Sequence, residues 1–178
     1  MINRRVLCVL VAGLATGCSS AEQPAPPPVT TYELPARTVR PDEKPLRVPP
    51  MREGETEFTL IGLTTGIETL IGSHAEWKAK GRYTRARLVI VNNGRTNIEF
   101  DARRQLLVLS TGGTAVPDDQ AMQIKRQPSA IPLGAVVRVE FDLYYDIPVD
   151  AKPTALRVFG GPTLTDMKDA ESIDIPLP

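Results

Sequence analysis

A single histidine, His74 in IGSHAEWK, limits the acid–base chemistry open to this chain of 178 residues. A serine–histidine–acid hydrolase would have to use it. Ser73 is its chain neighbour, and no Gly-x-Ser-x-Gly elbow or Ser-x-x-Lys motif occurs. His74 therefore reads as a loop histidine near Trp77. The two cysteines, Cys8 and Cys18, both lie in the first eighteen residues. The rest of the chain has no thiol nucleophile, disulfide or cysteine metal site, and one histidine falls short of a zinc site. Asp118-Asp119 and the group Asp166, Asp169 and Glu171 are carboxylate clusters, but their spacing matches no calcium loop. They read as solvated turn residues. Arg103-Arg104 with Lys125 and Arg126 is a candidate basic patch. Trp77 and Tyr83 could hold a ligand at a sheet edge, although packing is the stronger role for each. No residue is assigned to catalysis, to a cofactor or to a metal, and an enzyme is not expected.

The remaining chemistry is at Cys18. Arg4 and Arg5 give a positive start, Val6 to Leu14 an apolar run, and Ala15-Thr16-Gly17 a small-residue stretch before the cysteine. That order is a secretory signal. The run is shorter than the roughly 20 apolar residues of a spanning helix. Leu14-Ala15-Thr16-Gly17-Cys18 resembles the lipobox of bacterial lipoproteins, with Ala15 where leucine is commonest. The resemblance implies diacylglycerol on the Cys18 thiol and removal of residues 1–17 as signal peptide. It also implies a lipid-anchored protein on the extracytoplasmic face of the cell membrane. Cys8 leaves with the signal. Arg4-Arg5 keeps twin-arginine export open beside the general route.

The elements that must position any site come after this anchor. Nine of the 17 prolines fall between Pro24 and Pro50. Residues 18–52 are thus expected to be a disordered, proline-rich linker that contributes nothing to a core. About 34 residues would reach roughly 100 Å extended and roughly 30 Å relaxed. Thr30 and Thr31 are candidates for O-linked sugar.

From Glu53 the pattern becomes that of strands. In AVVRVEFDLYY (135–145), Val137, Val139, Phe141, Leu143 and Tyr145 alternate with Arg138, Glu140, Asp142 and Tyr144. The first set is expected in a core and the second in water. EFTLIGL, RARLVIVNNG, TNIEFD, QLLVLSTGGTAV, TALRVFG and ESIDIPL read as further strands, separated by Asn-Gly, Gly-Gly and Pro-x-Gly turns. Short helices are expected over 119–125 and 164–170. Residues 53–178 are thus expected to form an antiparallel immunoglobulin-like β-sandwich, all-β in class. Acidic and basic residues balance at 21 each, so no basic field draws in nucleic acid.

AKGRYTRARLVIVNNGRTNIEFD, QLLVLSTGGTAVPDD and IPLGAVVRVEFDLYYDIP resemble the telokin-like, MPT63-like immunoglobulin-fold family (domain of unknown function 4352) over roughly residues 56–160. The resemblance implies an exported, often lipid-anchored actinobacterial sandwich and carries no catalytic residues. The expected function is a non-catalytic binding or interaction module, with an envelope protein or the cell wall as partner. The alternative is a carrier or sensor of a small apolar ligand, a lipid or wall precursor, held between the sheets.

Overall fold

A computed structural model describes residues 39–73, 75–161 and 171–178. Strands β1 (Lys44–Pro45), β2 (Met51–Glu53), β3 (Thr56–Ile71), β4 (Glu76–Asn92) and β9 (Arg138–Ile147) make the large sheet. Its order is β1-β3-β4-β9, with β2 also on β3. A second sheet orders β11-β10-β6-β7, from β6 (Leu106–Leu109), β7 (Thr114–Ala115), β10 (Pro153–Phe159) and β11 (Ser172–Pro176). β5 (Ile98–Asp101) and β8 (Ala130–Leu133) form a small pair. Every pairing is antiparallel. The fold is the all-β sandwich expected from the alternation.

Alternation decides which side chains fill it. Phe58, Leu60, Leu88, Ile90, Leu107, Leu143, Leu156 and Ile175 are all fully buried. Phe100 meets Phe141 edge-on at 5.5 Å and 73°, and Phe58 at 6.3 Å and 53°. That is the offset geometry aromatic quadrupoles favour. Helix α1 (Asp119–Ile124) is the first of the two expected helices. Asp118 caps it, accepting from the Ala121 N–H at 2.7 Å. The other expected helix lies outside the described residues. Asp118 N–H donates to the Tyr144 carbonyl at 2.8 Å, and Asp142 N–H donates to Gln127 Oε1 at 3.3 Å. The segment around α1 thereby covers the free edge of β9, which would otherwise be open to pairing with another chain.

The structure corrects three expectations. First, the folded unit does not begin at residue 53. Its described part reaches back to residue 39, with β1 inside the supposed linker and β2 straddling its end. Leu46, Val48 and Met51 pack against the core. Proline content misled here, because edge segments tolerate proline where a central strand does not. Second, Asp142 and Tyr144 are not in water: both are buried. Alternation reports which face a residue is on, and the outer face is covered locally. Third, β9 starts at Arg138. Ala135 to Val137 belong to a turn in which Val137 N–H donates to the Gly134 carbonyl at 3.2 Å, and Val137 is 42% exposed.

Tyr145 gives this core a pH response. Its ring is fully buried and its hydroxyl donates to the Gln105 carbonyl at 3.3 Å. Burial pushes the phenol well above its ordinary value. Burial pushes Tyr83 and Tyr144 up as well. A raised phenol stabilises the fold fully below the unfolded-state value of about 10. That stability is lost as pH rises through the folded value. Urea midpoints should therefore hold steady to about pH 10 and fall above it, and Tyr145→Phe should fall less steeply. Parallel alkaline slopes for the two proteins would contradict this.

Candidate functional site

The outer face of the large sheet carries a polar seam. β4 and β9 present Arg85, Arg87 and Asp142 on the face opposite the core, because Ala86, Leu88, Phe141 and Leu143 point inward. The segment Arg40-Pro41-Asp42-Glu43 crosses this face. Proline favours the second position of a tight turn, and Glu43 N–H donates to the Arg40 carbonyl at 3.0 Å. The turn aims three charges at the sheet. Arg40 Nη1 donates to Asp142 Oδ2 at 2.7 Å. Arg85 Nη2 donates to Asp42 Oδ1 at 3.2 Å and to Thr64 Oγ1 at 3.0 Å. Arg87 Nη2 lies 3.0 Å from Glu43 Oε2, and the Glu43 side chain is 1% exposed.

Glu43 can enter only because residue 62 is glycine: a Cβ there would overlap its carboxylate. The electrostatics agree with the geometry. Burial, then the Asp142 charge, holds the Tyr144 phenol above its ordinary range, with Arg85 acting in the opposite sense. Burial opposes the Arg40 charge, but the hydrogen bond and charge of Asp142 outweigh it and keep Arg40 cationic.

A cleft of about 880 Å³ opens at one end of the sandwich, bordered by Lys80, Asp118, Asp119, Asp146, Val116 and Val149 among others. Two of its three carboxylates hold backbone, while Asp119 is exposed. Asp146 accepts from Lys80 N–H at 2.7 Å and Gly81 N–H at 2.9 Å, and Asp118 caps α1. Gly81 lies so close to the Ile147 carbonyl that a Cβ would collide with it. Thr114 lines the cleft, but among the described residues no histidine, serine or cysteine does. Among the described residues no cluster of His, Cys, Asp and Glu is placed to hold a metal ion.

Cys18, His74, Asp166 and Asp169 lie outside the described residues, and Glu171 is exposed. Trp77 Nε1–H donates to Gln120 Oε1 at 2.7 Å, fastening the β3–β4 hairpin to α1, while Tyr83 is buried. The candidate basic patch is engaged piecemeal. Arg103 pairs with Asp101 at 3.0 Å, Arg104 stacks 5.2 Å from the Phe159 ring, and Lys125 Nζ donates to the Ile71 carbonyl at 2.7 Å. Asn92, in the expected Asn-Gly turn, is fully buried. Its amide donates to the carbonyls of Thr96, Leu133 and Gly134, and its oxygen accepts from Gly94 N–H.

Sequence reasoning missed the seam residues Arg40, Asp42 and Glu43. The available signal was complementarity: an Arg-x-Asp-Glu run in one segment, and two arginines and an aspartate on one face of neighbouring strands.

No family model matches the chain, and no curated protein matches it. Among solved structures it is similar to the crystal structure of the yjhA protein from Bacillus subtilis, at 16% identity and a TM-score of 0.55, over 73% of this chain and 97% of that one. At that identity the likeness shows a shared fold.

Proposed function

We propose that the chain is a cell-envelope lipoprotein anchored through Cys18, whose immunoglobulin-like domain is a non-catalytic interaction module. The observation that carries the reading is the polar seam. Chain arriving from the anchor is fastened across the broad face of a sheet by Arg40–Asp142, Asp42–Arg85 and Glu43–Arg87. Buried ion pairs of this kind are weak sources of net stability, and fixing register is their better-attested use. A domain presented to a partner at the end of a tether needs a defined point of attachment. On this reading about 20 residues, Cys18 to Ala36, separate the anchor from the fastened segment. The resemblance to the telokin-like family supports the same reading, and the partner it suits is an envelope protein or the wall. A carrier holding a ligand deep between the sheets is less supported, because that space is filled by side chains without exposure.

Detergent partitioning tests the anchor. Wild type should enter the detergent phase, and Cys18→Ser should stay aqueous or keep its signal. Equal partitioning of both would end the lipoprotein reading. Crosslinking in intact cells should then capture an envelope component with wild type and lose it with Cys18→Ser.

A further inference from the structure

A cleft of about 420 Å³ adjoins the larger one, sharing Ile147 and Val149 with it, and lies apart from the polar seam. Lys44, Arg82 and Lys152 border it, with Leu63 and Ile147 as hydrocarbon wall and Thr84 beneath. Strand parity puts Arg82 and Thr84 on the inward face of β4 with Ala86 and Leu88. A cation at that parity, beside the core rather than on the outer face, is unusual and calls for a partner. Arg82 meets Glu68 from the exposed side. Among the described residues no carboxylate pairs with the ammonium group of Lys44 or Lys152. Thr84 is fully buried, and its Oγ1 has no hydrogen-bond partner. A buried hydroxyl in that state destabilises the empty fold.

We propose that this cleft binds a small phosphorylated molecule. Lys44, Arg82 and Lys152 hold the phosphate, Thr84 Oγ1 donates a hydrogen bond to the ligand, and the carbon portion lies against Leu63 and Ile147. With Arg82 shared with Glu68, the two unpaired ammonium groups still match a dianion better than a single carboxylate. The volume lies in the range of small-ligand pockets, which is about 300–1,000 Å³. The hydrocarbon wall favours a phosphate ester over the free ion. The same chemistry comes from a soluble ester or from a phospholipid headgroup. The inference needs only the folded domain and stands whether or not Cys18 is acylated.

The test uses the full chain carrying Cys18→Ser, titrated by calorimetry with phenyl phosphate, inorganic phosphate and a short-chain phosphatidylglycerol. Phenyl phosphate should saturate and bind more tightly than inorganic phosphate. Competition by the phosphatidylglycerol would assign a headgroup, and its absence a soluble ester. Lys152→Glu, at an exposed position, should abolish binding and leave the urea midpoint unchanged. Thr84→Val should weaken binding about tenfold, the loss expected of one charge-assisted hydrogen bond, yet raise the urea midpoint. That opposite movement separates a ligand contact from a structural one. Absence of saturable binding by every probe would overturn the proposal. So would binding unchanged by either variant, which is an adventitious ion only. A lower midpoint in Thr84→Val would mean that the hydroxyl is bonded within the fold, and would overturn it too.

Discussion

A chain starting at Glu53 is expected to lose its cooperative unfolding transition, whereas one starting at Arg37 keeps it. The cut removes Glu43 from Arg87, Asp42 from Arg85 and Arg40 from Asp142 in one step. Taking one partner from a fully buried pair costs about 3–5 kcal/mol, because the remaining charge stays out of water. Glu43–Arg87 qualifies, with side chains 1% and 8% exposed. Asp42 and Arg40 are more exposed, so their pairs contribute less. The cut also strips Leu46, Val48 and Met51 from the core and opens the backbone edge of β3 that β1 covers. Against a typical domain stability of 5–15 kcal/mol, that leaves a marginal fold or none. Circular dichroism and urea unfolding of the two chains decide it, and equal midpoints would show the seam to be decorative. Gly62→Val separates the seam from the strands. Its side chain would occupy the space of the Glu43 carboxylate while leaving β1 and β2 intact, so it should reproduce a large part of the loss.

The strands were legible because a half-buried strand states its own face. Phe141, Leu143 and Tyr145 alternate as the pleat requires, and nothing distant is needed to place them. The Asn-Gly turn was legible for the same reason, since it acts within four residues, whereas Asp118 read as a solvated turn residue and is in fact the cap of α1. The seam was not, because its meaning lies between segments. Arg40 reaches Asp142 across 102 positions. Outward charges on Arg85, Arg87 and Asp142 look like ordinary solvated ones until a second segment covers them. The opening at Thr84 was hidden in a related way. A threonine among core residues reads as packing, and only the fold shows its hydroxyl unpartnered beside three cations.

Phe141→Ala is expected to cost about 3–5 kcal/mol, the range for losing a large buried side chain and leaving a cavity. The ring is 3% exposed, sits in the middle of β9 and closes edge-on against Phe100, which in turn touches Phe58. Removing it takes away both burial and one member of that aromatic chain, and the two neighbours cannot collapse together without shifting β5 against the large sheet. The next residue tests the opposite face of the same strand. Asp142→Asn keeps the volume and removes the charge that meets Arg40. If alternation alone ruled, this change would be close to neutral. With Asp142 buried and hydrogen-bonded to a guanidinium, the loss should be about 1–3 kcal/mol. It stays below that of Phe141→Ala because Arg40 is 38% exposed and can turn to water when its partner is neutralised. Urea midpoints of the two variants should therefore fall in the order wild type, Asp142→Asn, Phe141→Ala. A neutral Asp142→Asn would mean the Arg40 contact adds nothing to the fold. A reversed order would mean that the seam, rather than the apolar interior, dominates the stability of this sandwich.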